Sequence, residues 1–392
     1  LPKKKNENYE RGMAREIRRR NLQKTKTTAR RHRENRAPRQ RSFAYEDMDA
    51  LDDAVTFERI MPRDEQDRRK AIEAALFAAD NGEPEVPARA ADGPQGRVVE
   101  VSTGLCRVAI EGRIVLCEWR GALTAQDTGY TNVVVVGDEV AITEDGGHRG
   151  IIERVLPRRN EIARPDPFYA HLRQLVAANV DQLLIVAAWR RPNLWPELID
   201  RYLIAAARSG VAPVLCVNKI DLAEEGAALE ATLAPYHALD LAIILTSAVT
   251  GAGLDALGKA MRGKITVLAG LSGVGKSTLL NAIQPGFALR TGGLIEYGQG
   301  RHTTTQAIML PFGEEGYVID TPGIREFGLV GLTRGELAQF YPDIAVLAGA
   351  CRFSDCAHQS EPGCAVRAGI DSGTVSAMRY ETYCKIWETL PE

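Results

Sequence analysis

Residues 264–281 read KITVLAGLSGVGKSTLLN: an apolar run of strand type, a glycine-rich turn, and the opening of a helix. Gly270-Leu271-Ser272-Gly273-Val274-Gly275-Lys276-Ser277 fits the phosphate-loop pattern G-x-x-x-x-G-K-[ST]. Glycines let backbone N–H groups wrap a phosphate, and the N-terminus of the next helix favours negative charge. Lys276 is then placed for the outer phosphates and Ser277 for Mg²⁺, with Thr278 beside it on the same turn. Upstream, 211–221 reads VAPVLCVNKID, a second apolar strand ending on Asn218-Lys219-Ile220-Asp221. Where these two motifs occur together, the phosphate loop ordinarily comes first. Here it comes second.

The remaining motifs show that both are real. An Asp221 carboxylate can accept from N1–H and the exocyclic amine of guanine, a donor pair that adenine lacks. Asn218 would brace that site, and the Lys219 stem would cover one face of the base. Thr246-Ser247-Ala248 ends the next apolar strand, where the backbone at Ser247 and Ala248 can meet the guanine carbonyl. Asp320-Thr321-Pro322-Gly323 follows another apolar strand; Asp320 suits Mg²⁺ through water, and the Gly323 N–H suits the γ-phosphate. GGLIEYGQGRHTTT (292–305) lies where a switch belongs, with Thr304 or Thr305 closing onto Mg²⁺. The order is that of a GTPase whose opening has been moved, a circular permutation that leaves sheet and loops intact. Ile324 stands where many GTPases carry a glutamine that orients water. Intrinsic hydrolysis should therefore be slow, and His302 is the candidate to position water or accept a proton. The permutation also leads the D-T-P-G switch straight into the C-terminal segment, so nucleotide state is expected to reposition that segment.

Charge divides the rest of the chain. The net charge of −2 conceals residues 1–41 with sixteen Lys/Arg against four Asp/Glu, followed by 42–94 with six against fourteen. The first of these is too poor in apolar residues to fold alone, and reads as an electrostatic arm for nucleic acid. DNGEPEVPARAADGPQG (80–96) reads as a linker closing a 1–94 extension. From 97 the periodicity becomes two, with short strands through RVVEVSTGLCRVAIEG, RIVLCEWRG and NVVVVGDEVAITEDGGHRGIIERVLP. This predicts a small barrel over 95–160 of the oligonucleotide-binding type (OB-fold), with an SH3-like barrel as the alternative. Arg113, Arg149, Arg154, Arg158 and Arg159 are expected to give it a basic surface for RNA. Residues 161–335 alternate buried strands with amphipathic helices, predicting a mostly parallel sheet covered on both faces. No apolar run reaches about 18 residues, so no spanning helix is expected. The opening LPKKKNENYERG lacks both Met and the apolar stretch of a secretory signal. A cytoplasmic, monomeric, multidomain protein without a membrane partner is the expectation.

Seven cysteines occur, three of them within CRFSDCAHQSEPGC (351–364). Cys351, Cys356, His358 and Cys364 form a Cys₃His set suited to one closed, structural Zn²⁺ in a turn-rich domain over 336–392. Cys106, Cys117, Cys216 and Cys384 are expected to be small buried residues.

GLSGVGKST, GRHTTT, DTPGIREFGL, NKID and CRFSDCAHQSEPGCAV, with GDEV and VLPRRNEIARP in the barrel, resemble the ribosome small-subunit-dependent GTPase A family (RsgA, YjeQ or YloQ). The resemblance spans 95–392. It implies a barrel, a permuted GTPase and a zinc domain acting late in maturation of the 30S subunit, with 16S rRNA, GTP and GDP as partners. It also implies GTPase stimulation by the subunit, release on hydrolysis, and a catalytic role for the switch histidine, which is His302 here. Two other readings compete: a nucleotide-gated RNA-binding module with incidental hydrolysis, and an ATPase.

Overall fold

The computed structural model describes residues 93–391 apart from 103–104, 120–129, 131, 146–147, 166–172, 225, 288–306, 321–328 and 330. The 1–92 extension, His302, Thr304, Thr305, Gly323 and Ile324 therefore lie outside the described residues. Five strands form the first element: β1 (Gln95–Ser102), β2 (Leu105–Ile110), β3 (Arg113–Trp119), β4 (Glu139–Glu144) and β5 (Arg149–Val155). Pairing runs β1-β2-β3-β5-β4 and returns from β4 to β1, closing a barrel in which only β3 and β5 are parallel. Alternate residues point inward, and Val98, Val108, Val115, Cys117, Val140 and Ile152 fill the interior with no exposed surface.

The valine run 133–136 has strand composition but forms no strand. Its backbone is taken by side chains instead. The Val135 N–H donates to Asp138 Oδ2 at 2.8 Å, and the Val133 carbonyl accepts from Arg158 Nη2 at 2.8 Å. Fully buried Asp138 in turn pairs with Arg158, Nε to Oδ1 at 2.7 Å. Burial pushes the Asp138 carboxyl up, against the pull of Arg158 and the Val135 N–H.

After the barrel comes a hairpin of β6 (Glu161–Pro165) and β7 (Arg173–Ala178). Asn179, in the left-handed region at φ 55°, accepts from the Arg159 N–H at 2.8 Å and donates to the Gly137 carbonyl at 2.9 Å. Gly137 has φ 93°, and a Cβ there would lie 2.0 Å from the Ala178 carbonyl oxygen. GDEV and LPRRN thus form a clamp between barrel and hairpin. Three of the five arginines expected to give a basic surface are paired with acids. Arg158 is committed to Asp138, Arg159 reaches Asp181 at 3.0 Å, and Arg113 pairs with Glu144 at 2.6 Å. Arg97 and Arg107 are paired with Glu139 and Glu100 in the same way.

The α/β portion holds β8 (Gln182–Ala188), α1 (Pro196–Ser209), β9 (Ala212–Asn218), α2 (Gly226–His237), β10 (Ala242–Leu245), α3 (Leu254–Met261), β11 (Ile265–Ala269), α4 (Lys276–Ile283), β12 (Ile308–Phe312) and β13 (Gly316–Asp320). Spatial order is β10-β9-β8-β11-β13-β12, parallel except for β12. The central strands β8, β9 and β11 are largely buried on both sides, which explains their unbroken apolar sequences. Leu183 and Ile185 of β8 face α1 and α2; Leu184 and Val186 face α3 and α4. Truncating a fully buried residue such as Leu215 to Ala is expected to cost about 2–5 kcal/mol. A bridge between Ile308 and Glu100 continues the sheet from β12 into barrel strand β1.

The C-terminal portion packs a 3₁₀ turn (Arg334–Phe340), α5 (Pro342–Ala348), α6 (Ala365–Asp371) and α7 (Ala377–Thr389) around Tyr341, Ile344, Val366, Tyr383 and Ile386. Thr333 and Glu336 form a capping box that starts the 3₁₀ turn. Ile204 of α1 belongs to this core. Among the described residues no helix is long and apolar enough to cross a membrane.

Candidate functional site

Both sequence motifs sit at the carboxyl edge of the parallel sheet, on neighbouring loops. The phosphate loop follows β11, and Asn218-Lys219-Ile220-Asp221 follows β9, with β8 between them. Two hydrogen bonds tie them together, and a third joins Asn218 to the Ser247-Ala248 loop. Buried Asn218 donates from Nδ2 to the Val274 carbonyl at 2.9 Å and accepts on Oδ1 from the Ala248 N–H at 3.3 Å. The Lys219 ammonium donates to the Gly273 carbonyl at 2.7 Å. Asn218 therefore touches the phosphate loop with one end of its amide and the Ser247-Ala248 loop with the other. Ser247 donates to Asp221 Oδ1 at 2.5 Å, fixing a carboxylate that is otherwise exposed. Buried Thr246 adds contacts to Cys216 and Asn218 from beneath.

The phosphate loop requires its glycines. Gly270, Gly273 and Gly275 have φ of 137°, 77° and 98°. A Cβ on Gly270 would stand 2.1 Å from the Val186 carbonyl oxygen, and one on Gly275 would stand 2.4 Å from Asn218 Nδ2. Gly275 caps α4, whose first turn carries Lys276, Ser277 and Thr278. Lys276 Nζ donates to the carbonyls of Gly270 and Leu271 at 2.7 and 2.8 Å, so the ammonium is folded over the loop. Leu271 packs against the core, and Ser272 and Gly273 make the loop's exposed turn. Asp320 ends β13, which runs parallel to β11 and so emerges beside the phosphate loop.

A third segment, absent from the motif reading, completes the wall. Between β8 and α1, the Trp189 N–H donates to the Asn218 carbonyl at 2.9 Å. The Arg191 carbonyl accepts a second bond from the Lys219 ammonium, and Arg190 stacks on the Trp189 ring at 4.2 Å. The signal was faint: Trp-Arg-Arg-Pro ends a strand neighbouring both motifs, but no motif marks it.

The cysteine cluster forms a separate centre. One ligand atom from each of Cys351, Cys356, His358 and Cys364 falls within 4.8 Å of all the others. Cys351 Sγ and Cys364 Sγ are 3.9 Å apart, and they lie 3.5 and 3.6 Å from His358 Nδ1. Metal–sulfur and metal–nitrogen bonds of about 2.3 and 2.0–2.1 Å give a tetrahedron with edges of about 3.8 and about 3.5 Å. The donor set therefore fits a tetrahedral ion. Its surroundings hold it in shape. Tyr380 and Tyr383 donate to the carbonyls of His358 and Ala357 at 2.6 and 3.2 Å. Glu361 accepts from the N–H groups of Ala357, Gln359 and Ser360 at 2.8–3.0 Å. Burial pushes the Glu361 carboxyl up, but these backbone donors outweigh it and hold it below the usual range. Burial lowers the His358 pKa, favouring the neutral imidazole that a metal needs.

Of the other cysteines, Cys106, Cys117 and Cys216 are buried, and burial pushes their thiols up to about 12, 11 and 11. Cys106 and Cys117 are cross-strand partners inside the barrel. Cys384 is only partly buried and accepts from Gln359 Nε2 at 3.5 Å.

A family model described as RsgA GTPase matches residues 155–330. The small ribosomal subunit biogenesis GTPase RsgA of Gemmatimonas aurantiaca is 39% identical over 301 residues, covering 75% of this chain and 97% of that protein. The chain belongs to the RsgA GTPase family. The RsgA of Moorella thermoacetica is likewise 39% identical, over 74% of this chain and 94% of its own. Among solved structures, YjeQ from Thermotoga maritima aligns with a TM-score of 0.62 at 34% identity, covering 75% of this chain and 97% of that one. YloQ, a circularly permuted GTPase, aligns at 0.59 with 26% identity, over 78% and 96%. As a member of the RsgA family the chain is a GTP-hydrolysing enzyme, and its motif order agrees with the circular permutation named for YloQ. The ATPase reading falls with that membership.

Proposed function

We propose that this RsgA-family GTPase acts in biogenesis of the small ribosomal subunit, binding 16S rRNA on the subunit in a cytoplasmic setting and leaving it on hydrolysis. The observation that carries the site assignment is the pair of bonds from Asn218 and Lys219 to Val274 and Gly273, which makes one pocket of two motifs distant in sequence. Asp221 reads guanine, Ser247 holds its carboxylate, and the Ala248 backbone meets the guanine carbonyl. Residues 270–278 cradle the phosphates. Mg²⁺, which GTP brings with it, supplies charge neutralisation at the β- and γ-phosphates. Ser277, Asp320 and one of Thr304 or Thr305 would hold it, with Gly323 on the γ-phosphate side. His302 is assigned to the attacking water. The Cys₃His centre takes one structural Zn²⁺, supported by its thiolate-rich donor set and tetrahedral edges. The barrel is of the oligonucleotide-binding type, on the strength of its β1-β2-β3-β5-β4 closure.

GTP turnover measured with and without purified small subunits tests the reading. Stimulation of roughly 10³–10⁵-fold is the scale at which a partner completes other GTPase sites; an unchanged rate refutes the assignment. In the stimulated assay, His302→Ala should abolish the acceleration while GTP binding persists. Full stimulation in that variant removes His302 as the catalyst.

A further inference from the structure

We propose that the stretch from Trp189 through α1 transmits occupancy of the guanine side of the pocket to the C-terminal metal-bearing portion, so that Asp200 and Arg379 are positioning residues for nucleotide binding although neither touches nucleotide. The proposal rests on the nucleotide assignment made above.

One end of the stretch is built into the pocket. The Trp189 N–H holds the Asn218 carbonyl, and the Lys219 ammonium bridges the carbonyls of Arg191 and Gly273. Pro192 lies 3.9 Å from where a Cβ on Gly273 would stand. The loop then runs directly into α1, with Pro196 at its first turn and the Pro196 carbonyl accepting from Tyr236 Oη at 3.2 Å.

The other end is one turn farther along. Asp200 is 1% exposed on α1, and Arg379 is 2% exposed on α7. They form an ion pair, with Thr382 and Tyr341 donating to the second carboxylate oxygen of Asp200. Arg379 also holds Asp343 at 3.1 Å and stacks over Tyr341 at 4.5 Å. Arg201 reaches Thr389 at 3.2 Å, and Ile204 is buried in the C-terminal core. Breaking such a pair from one side leaves a buried charge uncompensated, which strongly resists separation. The C-terminal portion is thus locked to α1, and α1 to the base-side loop.

This differs from the route expected from sequence, in which the D-T-P-G segment swings the C-terminus when the γ-phosphate changes. A relay through Lys219, Arg191 and α1 senses the base, which GDP and GTP share. It therefore responds to both nucleotides alike, and linkage makes it reciprocal.

Hydrogen exchange on the full chain, alone, with GDP, and with a non-hydrolysable GTP analogue, tests this. Slower exchange in 377–389 with either nucleotide is expected. Slowing with the analogue alone assigns transmission to the switch and overturns the relay. Protection confined to 189–222 and 270–283 also overturns it. In parallel, Asp200→Asn should weaken GDP binding about fivefold or more, raising KM for GTP with kcat unchanged, and Arg379→Lys should recover part of what Arg379→Gln loses. A folded Asp200→Asn chain with unaltered GDP affinity refutes the proposal, and the exchange experiment decides it independently if the variants do not fold. Failure of the wild-type chain to bind GDP in titration would overturn the nucleotide assignment, and this proposal with it.

Discussion

Replacing Asn218 by Ala removes the amide that joins three loops, and its cost can be worked from the contacts. The Val274 carbonyl loses its 2.9 Å donor and the Ala248 N–H loses a longer 3.3 Å acceptor. Asn218 is buried, so water does not simply replace it. An orphaned buried group costs about 1–3 kcal/mol, and a weaker bond about 0.5–1.5 kcal/mol. The total is roughly 2–4 kcal/mol, divided between the fold of the three loops and their readiness for nucleotide. Even half of the lower figure, expressed as affinity, is about fivefold, and the upper figure approaches 1,000-fold at ~1.4 kcal/mol per tenfold. Titration with a fluorescent GDP should therefore show at least about a fivefold rise in Kd, alongside a lowered melting temperature. Asn218→Asp should be no better: a carboxylate still accepts from Ala248 but turns an oxygen toward the Val274 carbonyl. If Asn218→Ala folds and binds GDP within twofold of the parent, the amide is not what assembles the pocket, and the reasoning fails.

Cys356→Ser should abolish stoichiometric zinc in the purified protein and speed exchange in α7, because Tyr380 and Tyr383 would lose the ordered carbonyls they hold; retained zinc would refute the Cys₃His assignment. Removing residues 1–41, with their excess of twelve positive charges, should weaken RNA binding and flatten its dependence on salt; an unchanged slope measured by filter binding would leave the arm without an electrostatic role. Alkylation of the native chain at pH 8, followed by peptide mass mapping, should spare Cys106, Cys117 and Cys216, whose thiols are nearly all protonated there. Rapid modification of any of the three would contradict its burial.

The two loops that meet at the sheet edge were legible in sequence because their motifs put fixed residue types at fixed spacing: Gly where backbone must approach, Lys and Asp where charge is called for. The cysteine centre was legible for the same reason. What escaped were residues whose work depends on a distant partner. Arg158 read as a surface cation, yet Asp138 draws it inward, and the valines beside it lose their ladder to those same two side chains. Asp200 sits in LIDRYLIAAA as an ordinary helix acid; only Arg379, far along the chain, makes it a core residue. The 189–195 loop carries no motif because two of its contacts with the pocket use backbone atoms, which any sequence supplies.

The clamp of Asp138, Arg158, Gly137 and Asn179, with the Glu100–Ile308 bridge, ties the barrel to the hairpin and to the nucleotide sheet. A tethered barrel would search for its target independently of the rest of the chain. A rigid one offers its contacts at a set spacing, and multivalent binding gains only where the target presents matching sites. Any partner that touches both barrel and nucleotide sheet must therefore present its contacts at the separation this clamp keeps.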